Sequence, residues 1–232
     1  PCWPVTLQSW KRKKSIILQI DETSIAAVTM DAIQNLNLTT IAAQLSGHSP
    51  VIQEPGQRGH AGVAMLIKQG TTSPEVLFII RAEHDRDPWS GNIGFPGGRL
   101  NDPNESPQQA AIRETFEELS VDLRPARYLG RLDDLFGATM PVLVSCFVYH
   151  VTEPLTLNPN HEVASTFWTP LTNLLESERH QQRNFYYRDK EHSHPAIELL
   201  EPQQPLLWGI TYRLIRSFFD ICAIDFGFSE AE

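Results

Sequence analysis

The run Arg113-Glu114-Thr115-Phe116-Glu117-Glu118 sets three carboxylates at helical spacing. At about 100° per residue, Glu114, Glu117 and Glu118 fall within one arc of roughly 100°, and Ile112, Phe116 and Leu119 fall on the opposite side. The spacing therefore predicts a helix that packs with the apolar stripe and presents a carboxylate cluster with the other. Like charges at i, i+3 and i+4 repel, each pair costing a few tenths of a kcal/mol. A hard divalent cation such as Mg²⁺ removes that cost, because it favours carboxylate oxygens together with waters and substrate phosphates. Taken alone, the pattern also fits the solvated outer face of an amphipathic helix. The upstream glycines favour the metal reading: Gly97 and Gly98 let the backbone turn sharply and come close to a ligand.

Several elements must position these side chains. The helix is expected over Ser106 to Leu119, with Ser106 as N-cap and Pro107 at the first helical position. Ala61 to Lys68 and Glu75 to Arg81 are apolar, β-rich runs separated by a turn segment, and read as adjacent strands. Residues 82 to 104 read as loop with a short strand near Ile93. Strands follow at Tyr128 to Leu132, Val142 to Val151 and Phe167 to Thr169, then a short helix at Leu171 to Glu176. Residues 177 to 194 are charged and polar and are expected to form a loop. Glu191-His192-Ser193-His194 lies within it and is read as solvated, not as a metal cluster. Pro205 to Asp220 reads as an amphipathic C-terminal helix. Upstream, apolar spacing between Met30 and Leu45 suggests one or two short helices, and His48 to Gly59 reads as a linker.

Residues 94 to 118 carry a resemblance to the Nudix box, in which a glycine is followed at fixed spacing by Glu and then Arg-Glu-apolar-x-Glu-Glu-x-Gly-apolar. The Arg-Glu-x-x-Glu-Glu core matches at Arg113 to Glu118, and Val121 fits the last apolar position. Thr115 stands where an aliphatic residue is usual, and Ser120 replaces the glycine after the helix. Gly98 lies one residue further upstream than the general pattern, so the isolated glutamate is Glu105 counted back from Arg113, or is replaced by Asn104 counted forward from Gly98. The coenzyme A diphosphatase branch of the family tends to share this longer spacing after Phe-Pro-Gly-Gly, present here as Phe95-Pro96-Gly97-Gly98. Its upstream signature is approximated by Arg81-Ala82, Arg86 and Gly91, with four residues instead of three between Arg86 and Gly91, and Ile79-Ile80 in place of a Leu-Thr pair. Glu162-Val163, Phe167-Trp168-Thr169-Pro170-Leu171 and Trp208-Gly209-Ile210-Thr211 also resemble the branch. The resemblance spans about residues 60 to 217.

The resemblance implies an α/β fold, a Nudix-type α/β/α sandwich with a mixed β-sheet, over residues 60–232, preceded by an N-terminal extension with short helices over residues 1–59. It implies a phosphoanhydride hydrolase dependent on Mg²⁺ or Mn²⁺ and acting on a small-molecule nucleotide. Coenzyme A or acyl-coenzyme A, giving 3′,5′-ADP and (acyl-)phosphopantetheine, is the first expectation. ADP-ribose, NADH or a dinucleoside polyphosphate are alternatives, as is a non-catalytic nucleotide-sensing module. The metal ligands expected are Glu114, Glu117, Glu118 and the Gly98 carbonyl. Arg113 is expected to hold the carboxylates in register. Glu162 is the candidate general base, with His161 beside it as an alternative. Arg81, Arg86, Arg99, Phe95 and Gly97 are expected at the substrate. Trp89 could stack on a base or pack beneath its loop, and Glu105 could stand behind the metal ligands as their partner or serve as a helix N-terminal charge, the role preferred from sequence.

Composition bounds these readings. The 232 residues, 41% hydrophobic and 20% charged, suit one ordinary domain with an extension. A net charge of −9 argues against a nucleic-acid surface, yet admits a polyanionic substrate where a metal supplies local positive charge. The three cysteines, Cys2, Cys146 and Cys222, are odd in number and far apart, which disfavours a disulfide framework or a zinc site. Cys146 sits in an apolar run and reads as core. Without an apolar stretch of about 18 residues, no membrane partner is expected, and a cytoplasmic location is. A homodimer is left open.

Overall fold

Period-two alternation along three apolar runs builds a sheet with two buried faces. The computed structural model describes residues 36–84, 89–138, 140–152, 154–187 and 190–226. Its elements, in chain order, are α1 (Leu38–Gly47), β1 (Gly59–Lys68), β2 (Glu75–Arg81), β3 (Ile93–Gly94), β4 (Gly97–Arg99), α2 (Pro107–Leu119), β5 (Arg127–Arg131), β6 (Leu135–Phe136), β7 (Val142–His150), β8 (Val163–Pro170), β9 (His180–Tyr187), β10 (Lys190–Ile197), β11 (Leu207–Trp208) and α3 (Gly209–Ile221). Two short 3₁₀ turns, Leu171–Leu175 and Ser177–Arg179, join β8 to β9.

The main sheet runs β3-β2-β1-β7-β5, with β8 on β2, β4 on β1 and β6 on β7. Strands β1 and β7 are parallel, from Gly59 opposite Val142 to Ile67 opposite His150, while the other ladders are antiparallel. The sheet is therefore mixed. Met65, Ile67, Val76, Phe78, Cys146 and Val148 point to one face, where α1 and α3 pack. Ala64, Leu66, Leu77, Ile79 and Phe147 point to the other, where α2 packs. Helix, sheet and helix form the three layers expected from the sequence. Cys146 is fully buried in the first layer, and burial pushes its thiol pKa up.

The segment before β1 shares this core. Helix α1 is capped by Asn37, whose side chain accepts from the Thr40 N–H at 2.9 Å, and it buries Ile41 and Leu45. A Cβ added at Gly130 in β5 would come within 2.9 Å of Leu45, so a glycine there admits the helix. Residues 48–53 are fastened by two aspartates: Asp133 accepts from the Val51 N–H at 2.8 Å and contacts His48 at 2.9 Å, and Asp134 accepts from the Gln53 N–H at 2.9 Å. The part of the expected N-terminal helices before residue 36 lies outside the described residues.

Two expectations need correction. Residues 177–194 are not a loop. Strand β9 pairs with β10 from Tyr187 opposite Lys190 to His180 opposite Ile197, and β11 adds to β10 to complete a second, three-stranded sheet. The reason is an aromatic ladder, in which Tyr187 stacks on His192 with centroids 4.1 Å apart and Phe185 stacks on Trp208 at 3.8 Å. The C-terminal helix begins at Gly209, not near Pro205, because Leu207 and Trp208 are committed to β11.

Candidate active site

The box helix buries Leu119 and packs Ile112 on the core as expected, and leaves Glu117 exposed, but it departs from the sequence expectation at Phe116 and Glu118. Phe116 is 57% exposed, whereas Glu118 is 1% exposed and shares the buried face with Ala110, Ala111, Thr115 and Leu119. The cause lies beneath the helix. A Cβ on Gly62 of β1 would run into the Pro107 carbonyl. A Cβ on Gly98 of β4 would come within 2.5 Å of the Glu114 carboxylate. The helix thus lies on a glycine floor, and its carboxylates fill space that side chains would otherwise occupy. Ala110 and Ala111 are the matching small residues. Thr115, in place of an aliphatic residue, is fully buried and satisfied, donating its hydroxyl to the Ala111 carbonyl at 2.7 Å.

The helix termini follow from local chemistry. Ser106 accepts from the Gln109 N–H, and the Gln109 side chain accepts from the Ser106 N–H, a reciprocal capping box with Pro107 at the first turn. At the other end Ser120 adopts left-handed φ 59°, ψ 25°, the conformation for which glycine is favoured at this position. The loop before β8 satisfies the last carbonyls: Asn158 N–H donates to Leu119 and Asn160 N–H to Glu118, at 2.9 and 2.8 Å.

Around the carboxylates two arginines divide the work. Arg113 is the hub. Its Nε and Nη2 bind both oxygens of Glu105 at 2.8 and 3.2 Å, Nη1 binds Glu114 at 2.7 Å and Glu117 at 3.2 Å, and Nη2 donates to the Arg99 carbonyl at 3.1 Å. The Glu105 pairing pushes the guanidinium pKa up, and the same pairing holds the Glu105 carboxyl below its ordinary range. Glu105 is therefore the support of Arg113, counted back from the arginine, not the helix-terminal charge preferred from sequence. Arg113 joins the turn, the Glu105 loop and two glutamates into one unit.

Glu118 is treated differently. Its Oε2 accepts from the Gly97 N–H at 2.9 Å, and its Oε1 meets Arg81 Nη1 at 3.5 Å. Burial raises its pKa to about 7, against the opposing pull of the Gly97 N–H and Arg81, while the charges of Glu114 and Glu162 add to the rise. The Glu162 backbone is anchored beside Arg81 by its carbonyl, which accepts from the Ala82 N–H at 2.8 Å. Its exposed side chain thus stands at the edge of the same cluster, entering β8. His161 is exposed beside it.

The remaining candidate residues separate into two groups. Arg81, Arg99, Gly97 and Gly98 line a cavity of about 730 Å³ that opens from the glycine turn. Phe95 also borders it, but its ring is buried and stacked on Phe78 with centroids 5.3 Å apart, so it shapes the floor more than it offers a polar contact. Trp89 packs partly against the core, with the Arg99 guanidinium 5.9 Å from its ring centre. Arg86 lies outside the described residues. His192 and His194, read from sequence as solvated, belong to the aromatic ladder, and Tyr187 Oη lies 2.6 Å from His194 Nε2. Period-two placement of Phe185, Tyr187, His192 and His194 was the available signal for it.

Among the described residues, no three His, Cys, Asp or Glu side chains are grouped as a ready-made ion cage. The donor chemistry nevertheless fits a hard divalent cation. Such an ion commonly takes one or two carboxylates, with waters and substrate phosphates completing its shell. Glu118 is a buried carboxylate whose charge is under-compensated, and Glu114 lies against the Gly98 backbone.

A sequence model of the NUDIX domain matches residues 58–189, and this chain belongs to the Nudix domain family. It is 38% identical over 164 residues to an uncharacterised protein of Schizosaccharomyces pombe, covering 60% of this chain and 50% of that protein, so it spans about half the length of that relative. It is 28% identical over 151 residues to an uncharacterised Nudix hydrolase, NudL, of Yersinia pestis, covering 62% of this chain and 70% of the relative. Among solved structures, a Caenorhabditis elegans Ap4A hydrolase is similar at 24% identity and a TM-score of 0.42, over 48% of this chain and 80% of the other. The NUDIX domain of Shewanella oneidensis NrtR, complexed with ADP ribose, is similar at 20% identity and a TM-score of 0.40, over 58% and 86%.

Proposed function

We propose that this chain is a Mg²⁺- or Mn²⁺-dependent hydrolase of a diphosphate bond in a nucleotide, with coenzyme A or an acyl-coenzyme A as its substrate. The observation that carries the reading is the placement of Glu118. Its carboxylate is buried, held by the Gly97 N–H at 2.9 Å, and adjoins a cavity lined by Arg81 and Arg99. Burying a carboxylate without full pairing is costly, which is intelligible where a cation completes the site.

Glu118, Glu114, Glu117 and the Gly98 carbonyl would hold the cation, which when bound would neutralise phosphate charge and activate a water. The chain's own residues do the positioning. Arg113 keeps Glu114 and Glu117 in register with the glycine turn through charge-assisted hydrogen bonds. Arg81 and Arg99 present positive charge to the diphosphate from the cavity side. Glu162, at the edge of the cluster, takes the proton of the attacking water, a role that requires it to come within hydrogen-bond reach of that water. The coenzyme A reading is supported by Phe95-Pro96-Gly97-Gly98, the longer box spacing and the Trp208-Gly209-Ile210-Thr211 segment, which lies on the same cavity.

The test is hydrolysis with Mg²⁺ or Mn²⁺ of coenzyme A, acetyl-coenzyme A, ADP-ribose, NADH and dinucleoside polyphosphates, with products identified. Preferential release of 3′,5′-ADP is expected. Turnover of another member of the set would discard the substrate and keep the chemistry. Metal binding with no turnover of any would point to a sensing module.

A further inference from the structure

The cavity continues well beyond the carboxylates. From Arg81, Arg99 and the glycine turn it extends between the sheet and the second sheet, over a total of about 730 Å³, within the range of about 300–1,000 Å³ that encloses a drug-sized ligand. Its floor is apolar, contributed by Val63, Val144 and Phe95, and its far wall is Phe185, Tyr187, His194 and Trp208. Among the described residues that line it, none is acidic, and the charged ones are Arg81, Arg99 and Arg213. In a chain of net charge −9, the lining of this cavity is locally positive.

The wall is built of rings already stacked on one another. Phe185 lies on Trp208 at 3.8 Å and 11°, Tyr187 lies on His192 at 4.1 Å and 9°, and His194 sits 5.7 Å from Trp208 and 5.8 Å from Tyr187. Phe185 and Trp208 are packed on each other, and Tyr187 is packed on His192, so much of the wall's aromatic surface is already engaged and what it adds to the cavity is chiefly apolar. Its polar contribution is neutral: the Tyr187–His194 pair at 2.6 Å and the Thr211 side chain. The Trp208 indole N–H is engaged by Asn92 Oδ1 at 3.0 Å, which anchors the second sheet to the loop before β3 and fixes the wall relative to the turn.

We propose that this cavity is the subsite for the non-nucleotide arm of the substrate. It takes an uncharged, amide-bearing chain with an apolar end, attached to the diphosphate that Arg81 and Arg99 receive, and the β9–β10 hairpin sets the preference for that arm. The assignment rests on the diphosphatase reading for the identity of the arm, but its test does not depend on turnover.

The probe is S-hexanoyl-pantetheine, which carries the amides and an apolar end without phosphate, titrated calorimetrically into the full chain. The wild type should bind it. Ala138 lines the cavity and is exposed, so Ala138→Trp obstructs the space without entering the core. It should weaken that binding at least tenfold while leaving the unfolding midpoint within about 2 °C. Tyr187→Phe, which removes only the hydroxyl facing His194, should weaken it by less. No binding to the wild type, or undiminished binding to folded Ala138→Trp, would overturn the subsite. Where hexanoyl-coenzyme A is hydrolysed, Ala138→Trp should raise its KM by a similar factor, and an unchanged KM would equally overturn it. Arm binding that Ala138→Trp abolishes, in a protein that hydrolyses none of the diphosphates, would sink the proposed function and leave the subsite standing.

Discussion

Glu118→Gln should stabilise the metal-free protein above neutral pH while removing its metal response. The Glu118 carboxyl moves from an ordinary pKa of 4.5 to about 7 on folding, chiefly through burial. Below about pH 4.5 it is protonated in both folded and unfolded chains and carries no penalty. As pH rises from 4.5 towards 7 the unfolded chain ionises first, so folding stability falls, and above 7 the loss is complete. At about 1.4 kcal/mol per tenfold difference in proton affinity, the interval corresponds to a loss on the order of 3 kcal/mol. Glutamine keeps an oxygen for the Gly97 N–H and never ionises. Urea unfolding of both proteins in EDTA, from pH 4.5 to 8, should show the stability difference growing in favour of Glu118→Gln by that amount, since other titrations cancel. Mg²⁺ added at pH 8 should restore stability to the wild type by mass action and do little for the variant. A difference that stays flat with pH would refute the argument that Glu118 is buried as an under-compensated charge.

Three further outcomes follow from the same geometry. Arg113→Lys loses the fork that binds Glu105 at two oxygens while reaching Glu114 and Glu117. Metal affinity measured by titration should fall by about 10–100-fold, the usual effect of losing an outer support. Gly62→Ala must displace the first turn of α2 from β1 and should cost about 1–3 kcal/mol in denaturant unfolding, with metal binding weakened as well. Ser120→Gly relieves a left-handed serine and should raise stability by about 1 kcal/mol, with activity unchanged.

The placement of the box residues was legible in the sequence because it depends on residue type and spacing that a helix transmits faithfully. Arg113, Glu114 and Glu118 do lie beside the glycine turn, and Ser106 and Pro107 do start the helix. The second sheet was not legible by the same means. Residues 180–187 carry five polar and charged residues ahead of Phe185, Tyr186 and Tyr187, and mean polarity favours a loop. What decides the strand is pairing across the hairpin, where Tyr187 meets His192 and His194, and Phe185 meets Trp208 from a distant segment. A long-range contact of that kind has no local signature beyond the two-residue spacing of the rings.

At Phe116 and Glu118 the helix departs from the sequence expectation for a more instructive reason. Charge marks the outer face of helices that pack on side chains. Here the packing partner is backbone. Gly62, Gly97 and Gly98 present no Cβ, the first turn of α2 closes onto β1 at Gly62, and the space left along the helix is filled by the Glu114 and Glu118 side chains. The decisive mark was the pair Ala110-Ala111, followed by Thr115: small residues on the arc that contains Glu114 and Glu118, matched to small residues in the turn upstream. Phe116, turned outward at 57% exposure, is the consequence. On this account the glycines do more than permit a tight turn. They bring carboxylates and backbone amide into contact in a water-poor seam, so an aliphatic residue at Gly62 or Gly98, whose added Cβ would meet the helix or Glu114, should move the glutamates before it unfolds the sheet.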